Sequence, residues 1–493
     1  MDKFLRIFTI ITLLAISSVV KASDTFTDAV ASPKWEVRAV WLTTFRGLDW
    51  PKTKATSEKN RKAQQEELCK ILDQLQECKI NTIFLQTRVR GSVIYPSKIE
   101  PWDVGLTGTY DKDPGYDPLK FAIEETHRRG MELHAWVVTI PCFKIATAKK
   151  VGKKSLLNTH PQLLKRHEDT YSLDPGQPAS GEYLTRICKE IVSQYDVDGI
   201  HFDYIRYPEN GTNFPDAQTY KKYGAKQEKM AWRRDNITKI VRQTYTEIKK
   251  LKPWVRVSCS PVGKYRDMTR YSAKGWSAYG TVQQDAQGWL KEGIMDMLCP
   301  MMYFKGDHFY PFAADWQENS YGRTIAPGLG IYFLHPKQAD WAWGDIQREL
   351  EYIREEGLQG QAYFRSEFLT DNTKGILDFL KNTYYPYPAL LPAMTWMSKE
   401  LPQAPHITKK ERIDGTKELV EWEKVEKEGR NCRYVVYASK EKPVDISKAE
   451  NIVCTLKEPT YTYNLLSATL WNLNLAITTL DCFGNESEAT PLY

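Results

Sequence analysis

The stretch His201-Phe202-Asp203-Tyr204-Ile205-Arg206-Tyr207-Pro208 places one carboxylate inside an apolar, aromatic run, with a guanidinium three residues further on. A carboxyl group in such surroundings can hold its proton to unusually high pH and deliver it to a leaving oxygen. The competing reading is a buried Asp203–Arg206 pair that ties a loop to a strand. Glycoside hydrolysis needs two carboxylates, one to protonate the leaving oxygen and one to act as nucleophile or base. Asp203 is the strongest candidate, Glu367 is a candidate second carboxylate, and Asp174 is one of several further acids that the residues alone do not rank. Glu367 ends the run Tyr363-Phe364-Arg365-Ser366-Glu367, and Asp174 lies in Leu173-Asp174-Pro175-Gly176. Further acids fall on loops of the same kind: Glu100, Asp103, Asp111, Asp117, Asp285 and Asp315. Rings that can stack on sugars and donors that can bind hydroxyls give an expected substrate-binding set of Trp41, Gln86, Arg88, Glu100, Trp102, Trp136, His201, Arg206 and Tyr303. For each of these, a place in the scaffold is the competing reading, and His201 is more an orienting or core residue than an acid.

These side chains need a frame. Short β-branched and apolar runs at 36–45, 81–89, 132–138, 198–207, 256–262, 295–304, 324–332 and 360–367 alternate with segments of helical period, such as 57–78 and 179–195. That is the pattern of repeated βα units, and eight strands close a (β/α)8 TIM-type barrel. In that fold the reacting groups project from the carboxyl ends of the strands. Alternation along strand four puts Gly199, His201 and Asp203 on the inner face and Tyr204 on the outer one. The barrel is expected over 34–385, a Pro-rich linker over 386–405, and a small all-β immunoglobulin-like sandwich over 406–493, with Trp422 as a core ring.

The whole chain narrows the function. Residues 1–22 read as a secretory signal, with Lys3 and Arg6 before an apolar run and small residues around Ala22. An exported chain, periplasmic or extracellular, without stable membrane insertion is expected. A net charge of +6 over 493 residues, spread without a basic tract, excludes nucleic acid as the expected partner. Fifteen Trp and 28 Tyr suit a sugar ligand. The nine Cys lack framework spacing, and the eight His include no His-x-His, so neither a disulfide scaffold nor a metal centre is expected and no cofactor is implied.

Five segments carry a family resemblance: Glu36-Val37-Arg38-Ala39-Val40-Trp41-Leu42, Tyr95-Pro96-Ser97-Lys98 with Glu100-Pro101-Trp102, Gly115-Tyr116-Asp117-Pro118-Leu119, Leu173-Asp174-Pro175-Gly176, and Val197-Asp198-Gly199-Ile200-His201-Phe202-Asp203-Tyr204. Together they make the chain similar to the bacterial glycosyl hydrolase-like 10 family of TIM barrels, often followed by a fibronectin type III domain. The resemblance implies a glycan-cleaving enzyme, and it implies peptidoglycan strands stripped of their peptides as substrate. It also implies site roles for Asp203, Asp174 and Tyr303. The segment Val138-Thr139-Ile140-Pro141-Cys142-Phe143 departs from the Asn-Pro-Tyr-Arg-like family pattern. A noncatalytic carbohydrate-binding or envelope scaffold protein on the same barrel is the alternative.

Overall fold

The run Val37–Leu42 is buried along its whole length, as a strand covered on both faces must be. A computed structural model describes residues 32–493, except 210–212, 225, 414, 466–467, 469–471 and 493. The expected signal segment lies outside the described residues. The barrel strands are β1 (Val37–Leu42), β2 (Thr82–Arg88), β3 (Glu132–Val138), β4 (Gly199–Asp203), β5 (Arg256–Cys259), β6 (Met297–Leu298), β7 in two pieces (Thr324–Ile325 and Gly328–Leu329) and β8 (Gly360–Tyr363). Neighbours pair in parallel throughout. The ladder has nine segments because Pro327 interrupts β7. On one side of that break Ala326 N donates to Leu298 O (2.9 Å), and on the other Ala362 N donates to Pro327 O (2.9 Å). The sheet therefore closes as eight strands, and Pro327, with no N–H to give to β8, splits β7 into its two pieces.

Between the strands run α1 (Glu58–Glu77), α2 (Pro118–Arg128), α3 (Pro178–Gln194), α4 (Lys229–Leu251) and α5 (Trp343–Glu355). Ser57 caps α1 by accepting from Asn60 N, and Leu68, Leu72 and Leu75 bury its inner stripe. Asp117 caps α2 in the same way, with Pro118 in its first turn. The β3–β4 connection carries a small antiparallel sheet of Pro141–Lys144, Thr170–Leu173 and Leu164–His167, which the sequence pattern does not reveal. Among the described residues no helix is long and apolar enough to cross a membrane.

Strand alternation holds inside the barrel. Val37, Ala39, Trp41, Phe84, Trp136, Val138, Met297 and Cys299 fill the axis, and Leu391 closes the lower end. Close packing makes Gly199 obligatory, since a Cβ there would lie 2.5 Å from His134 Nδ1. The expected 198–207 strand stops at Asp203 because Tyr204 adopts φ 53°, outside the β region. Likewise 360–367 is strand only to Tyr363, and Ser366–Thr370 is helical.

Beyond the barrel, two antiparallel sheets of three and four strands form the immunoglobulin-like sandwich. Trp422 is its core ring, edge-on to Tyr434 with centroids 5.1 Å apart. The Pro-rich run is not a free spacer. Leu390, Leu391 and Met394 are buried, and Leu390 is joined to the strand-one entry through Glu36 N (2.9 Å). The sandwich is thereby held against the amino ends of the strands, where Arg430 pairs with Asp198 (2.7 Å) and Arg433 with Glu132 (2.7 Å).

Candidate active site

At the carboxyl end of β4 the Asp203 side chain is almost wholly buried and is held by neutral donors. Its Oδ2 accepts from Trp136 Nε1 (3.1 Å), and its Oδ1 accepts from Tyr204 N (2.8 Å) and Ser260 Oγ (3.2 Å). The main chain is fixed too, because Asp203 O accepts from Thr139 N and Thr139 Oγ1 (2.9 Å each). Burial raises the carboxyl above its ordinary range; the Arg206 charge and these hydrogen bonds oppose that rise without reversing it. The indole uses one lone pair of Oδ2, leaving room there for a proton.

One layer below, Trp41 Nε1 donates to His201 Nε2 (3.0 Å), and His201 Nδ1 meets Ser258 Oγ (2.8 Å). An indole nitrogen can only donate, so the His201 proton sits on Nδ1. Phe84 stacks on the imidazole with centroids 4.0 Å apart, and burial holds the ring well below its usual pKa, hence neutral. Trp41 and His201 are thus a buried layer under Asp203 and not sugar contacts.

A cavity of about 620 Å³ opens along the ends of β4, β5 and β6; Tyr204, the residue after Asp203, lines it, and Asp203 itself lies buried behind that lining. Arg206 and Tyr303 line it, and so do Tyr204, Glu209, Lys264, Phe304 and Trp276, which sequence reasoning did not single out. The left-handed turn at Tyr204 explains why its ring lies here and not on the outer face: the strand has ended, so alternation no longer applies. Arg206 Nη2 donates to Glu209 Oε1 (2.8 Å), and the guanidinium carbon stands 4.8 Å from the Tyr204 ring centroid. Arg206 Nε is buried without a partner among the described residues. The Tyr303 phenol is raised well above its ordinary range, chiefly by burial and next by the Asp203 charge.

Other expected residues fall elsewhere. A bulge between Gln86 and Arg88 turns Arg88 off the axis and toward α3. There Arg88 is wholly buried, paired with both Glu100 oxygens (2.7 and 2.8 Å), and Glu100 also accepts from Tyr183 Oη (2.9 Å). Arg88 and Glu100 therefore form an internal clamp, a correction to their expected role at the substrate. Gln86 Oε1 is occupied by Thr43 Oγ1, Thr44 N and Phe45 N, so it fixes the loop after β1. Trp102 is half-buried against the outer core. Asp174 is fully buried, accepting from Gly176 N (3.0 Å) and Thr219 Oγ1 (2.5 Å), and it does not line the cavity. Glu367 sits on the short helix after β8, between Lys52 (2.8 Å) and Arg365 (2.7 Å). Burial pushes its carboxyl up, but those two cations outweigh it and hold it low, the wrong direction for an acid. Among the described residues no group of three or more His, Cys, Asp or Glu is placed to hold a metal ion.

A closed parallel barrel with a buried aspartate at the carboxyl end of β4, next to a cavity, has the architecture of a barrel enzyme of the glycoside hydrolase class. The chain belongs to the glycosyl hydrolase-like 10 family, whose model matches residues 36–327. It is 33% identical over 397 residues to "Glycosyl hydrolase YngK" of Bacillus subtilis (strain 168), covering 76% of each chain. It is 34% identical over 290 residues to "Glycosyl hydrolase DigH" of Escherichia coli (strain K12), covering 54% of this chain and 65% of that one. Among solved structures, the PgaB glycoside hydrolase domain from Bordetella bronchiseptica overlays 70% of this chain and 98% of its own at 12% identity, with a TM-score of 0.47.

Proposed function

We propose that this glycosidase is exported and cleaves peptidoglycan glycan strands, with Asp203 as general acid and Glu209 as the second carboxylate. The observation that carries the reading is the contrast between these two acids. Asp203 is held by neutral donors in a buried position that favours its protonated form. Glu209 lines the open cavity in an ion pair with Arg206. Such a pair divides the work, since one carboxyl keeps a proton for the leaving oxygen while the other stays ionised to attack carbon or activate water. Export is supported by the signal-like pattern of residues 1–22, and the glycan by the motif resemblance together with the aromatic-lined cavity.

The test is incubation of purified protein with peptide-free peptidoglycan strands, counting new reducing ends. Asp203→Asn and Glu209→Gln should each lower the rate by about 10²-fold or more, the scale of losing acid or base assistance. The wild-type rate should fall as pH rises through the raised Asp203 pKa, because the working form of the acid is the protonated one. A variant at Asp203 that cleaves as fast as wild type would overturn the reading, and so would binding of the strands without any cleavage.

A further inference from the structure

Most tryptophans of this chain are buried or half-buried in cores. Trp276 is different: at 54% exposed it is the only exposed tryptophan among the described residues. A single exposed ring needs no explanation by itself. This one, however, lines the cavity beside Asp203, together with Tyr204, Arg206 and Tyr303. The loop that presents it is closed at its base, where Ala278 N donates to Lys264 O (2.8 Å) and Tyr279 N donates to Tyr265 O (3.0 Å). Within the loop Ala273 N donates to Asp267 Oδ1 (3.1 Å), and Lys264 Nζ holds both Asp267 (3.1 Å) and the Ala273 carbonyl. It is therefore a compact Ω-type loop with an apolar ring near one foot, fixed by its own polar contacts and not by burying that ring.

Arg206 lines the same cavity. It is 5% exposed, and its Nε–H has no partner among the described residues. A buried guanidinium donor left unpaired costs stability unless something in the cavity accepts from it. A pyranose whose substituents are mainly equatorial offers what these two groups lack: a face of axial C–H bonds for an indole, and ring or substituent oxygens for a donor.

We propose that Trp276 is the sugar-stacking platform of the cleft, taking the apolar face of one gluco-configured pyranose while Arg206 Nε–H donates to an oxygen of the bound glycan. This rests on the cavity beside Asp203 being the glycan site. Trp276 is thus a binding and specificity residue and does not take part in proton transfer.

The test compares wild type with Trp276→Ala and Trp276→Phe on peptide-free peptidoglycan strands. Trp276→Ala should raise KM roughly tenfold, equivalent to about 1.4 kcal/mol of binding, with kcat within about a factor of two. Trp276→Phe should recover most of the affinity. In parallel, tryptophan emission of Asp203→Asn is titrated with the same strands. It should change on binding, and the change should vanish in Asp203→Asn/Trp276→Phe. An unchanged KM in Trp276→Ala would overturn the proposal. So would a fall in kcat at constant KM, or a phenylalanine as damaging as alanine, because either pattern marks a structural loop residue. If the strands bind in a Trp276-dependent manner but are never cut, the platform stands and the catalytic reading falls. If they are cut regardless of Trp276, the reverse holds. If they neither bind nor are cut, both fall.

Discussion

Two aspartates bracket strand β4, Asp198 just before it and Asp203 at its end, and each is 6% exposed. Equal burial leads to opposite chemistry. Asp198 faces the sandwich, where Oδ2 meets His127 Nε2 (2.7 Å) and Leu133 N (2.9 Å), and Oδ1 meets Arg430 (2.7 Å). Burial would raise its carboxyl, but His127 and Arg430 outweigh that and hold it well below the ordinary range. Asp203, at the opposite end of the strand beside the cavity-lining Tyr204, has only neutral direct donors and remains raised. Partners, and not depth, decide whether a buried acid works as a tie or as a proton source.

Substituting both positions should separate these roles most sharply. Asp203→Asn keeps an oxygen for Trp136 Nε1 while removing the acid, so cleavage is lost. Its stability should fall less than that of wild type as pH climbs, because an acid with a raised folded pKa costs stability above the unfolded value and the amide does not ionise. Asp198→Asn should do the converse. Activity per folded molecule should be retained, while stability drops by about 3 kcal/mol because Arg430 is left in a half-broken buried pair. The sign with pH is also opposite. The Asp198 contribution is present above its unfolded pKa and disappears as pH falls toward the depressed folded value, so the variant should have a flatter acid limb in thermal denaturation across pH 2–5. Equal loss of activity in both variants would break the comparison.

A third buried acid extends the rule. Glu349 on α5 is wholly buried, neither of its oxygens has a partner, and burial, with some help from Asp345, raises it well above 4.5. It is a buried acid with no cation to tie and no cavity to serve. Wild type should therefore lose stability as pH rises above 4.5, the ordinary value. Glu349→Gln should raise the melting temperature at pH 8 by about 2 °C, the size of a shift near 1 kcal/mol in a chain this large, with little gain at pH 4.5. Equal gains at both pH values would show that ionisation is not the cause.

The contrast along β4 was half legible in the sequence. Inward alternation of Gly199, His201 and Asp203 follows from the period of two, and the eight βα units follow from their alternation of patterns. The misplacements have local causes. A one-residue bulge sent Arg88 outward, a left-handed residue turned Tyr204 inward, and a helix in place of strand carried Glu367 to the rim. None of these leaves a periodic trace. Glu209 follows directly on the stretch that ends at Pro208, six positions after Asp203, but only the ion pair with Arg206 draws attention to it. Trp276, in the segment Lys274-Gly275-Trp276-Ser277, carries no signal beyond being an aromatic in a loop. That the linker packs on the barrel left no mark in the sequence, because proline content marks extended chain equally well whether it is free or packed.

The smallest expected effect concerns Glu367, and it probes the rule from the opposite side. This carboxylate is on the catalytic face, yet it resembles Asp198 more than Asp203, since Lys52 and Arg365 both reach it. Position at the barrel mouth would make it catalytic; partners would make it a tie. Its side chain is 29% exposed, so solvent screens the pair and its removal should cost no more than about 0.5 kcal/mol. Arg365 keeps its bond to Asp49 when Glu367 is neutralised, which holds the loop after β1 against the end of β8. Glu367→Gln should accordingly cleave peptide-free strands within twofold of the wild-type rate and melt within about 1 °C of it. A loss of a hundredfold would put the second carboxylate at β8 in place of Glu209, and would show that location at the barrel mouth can override two cationic partners.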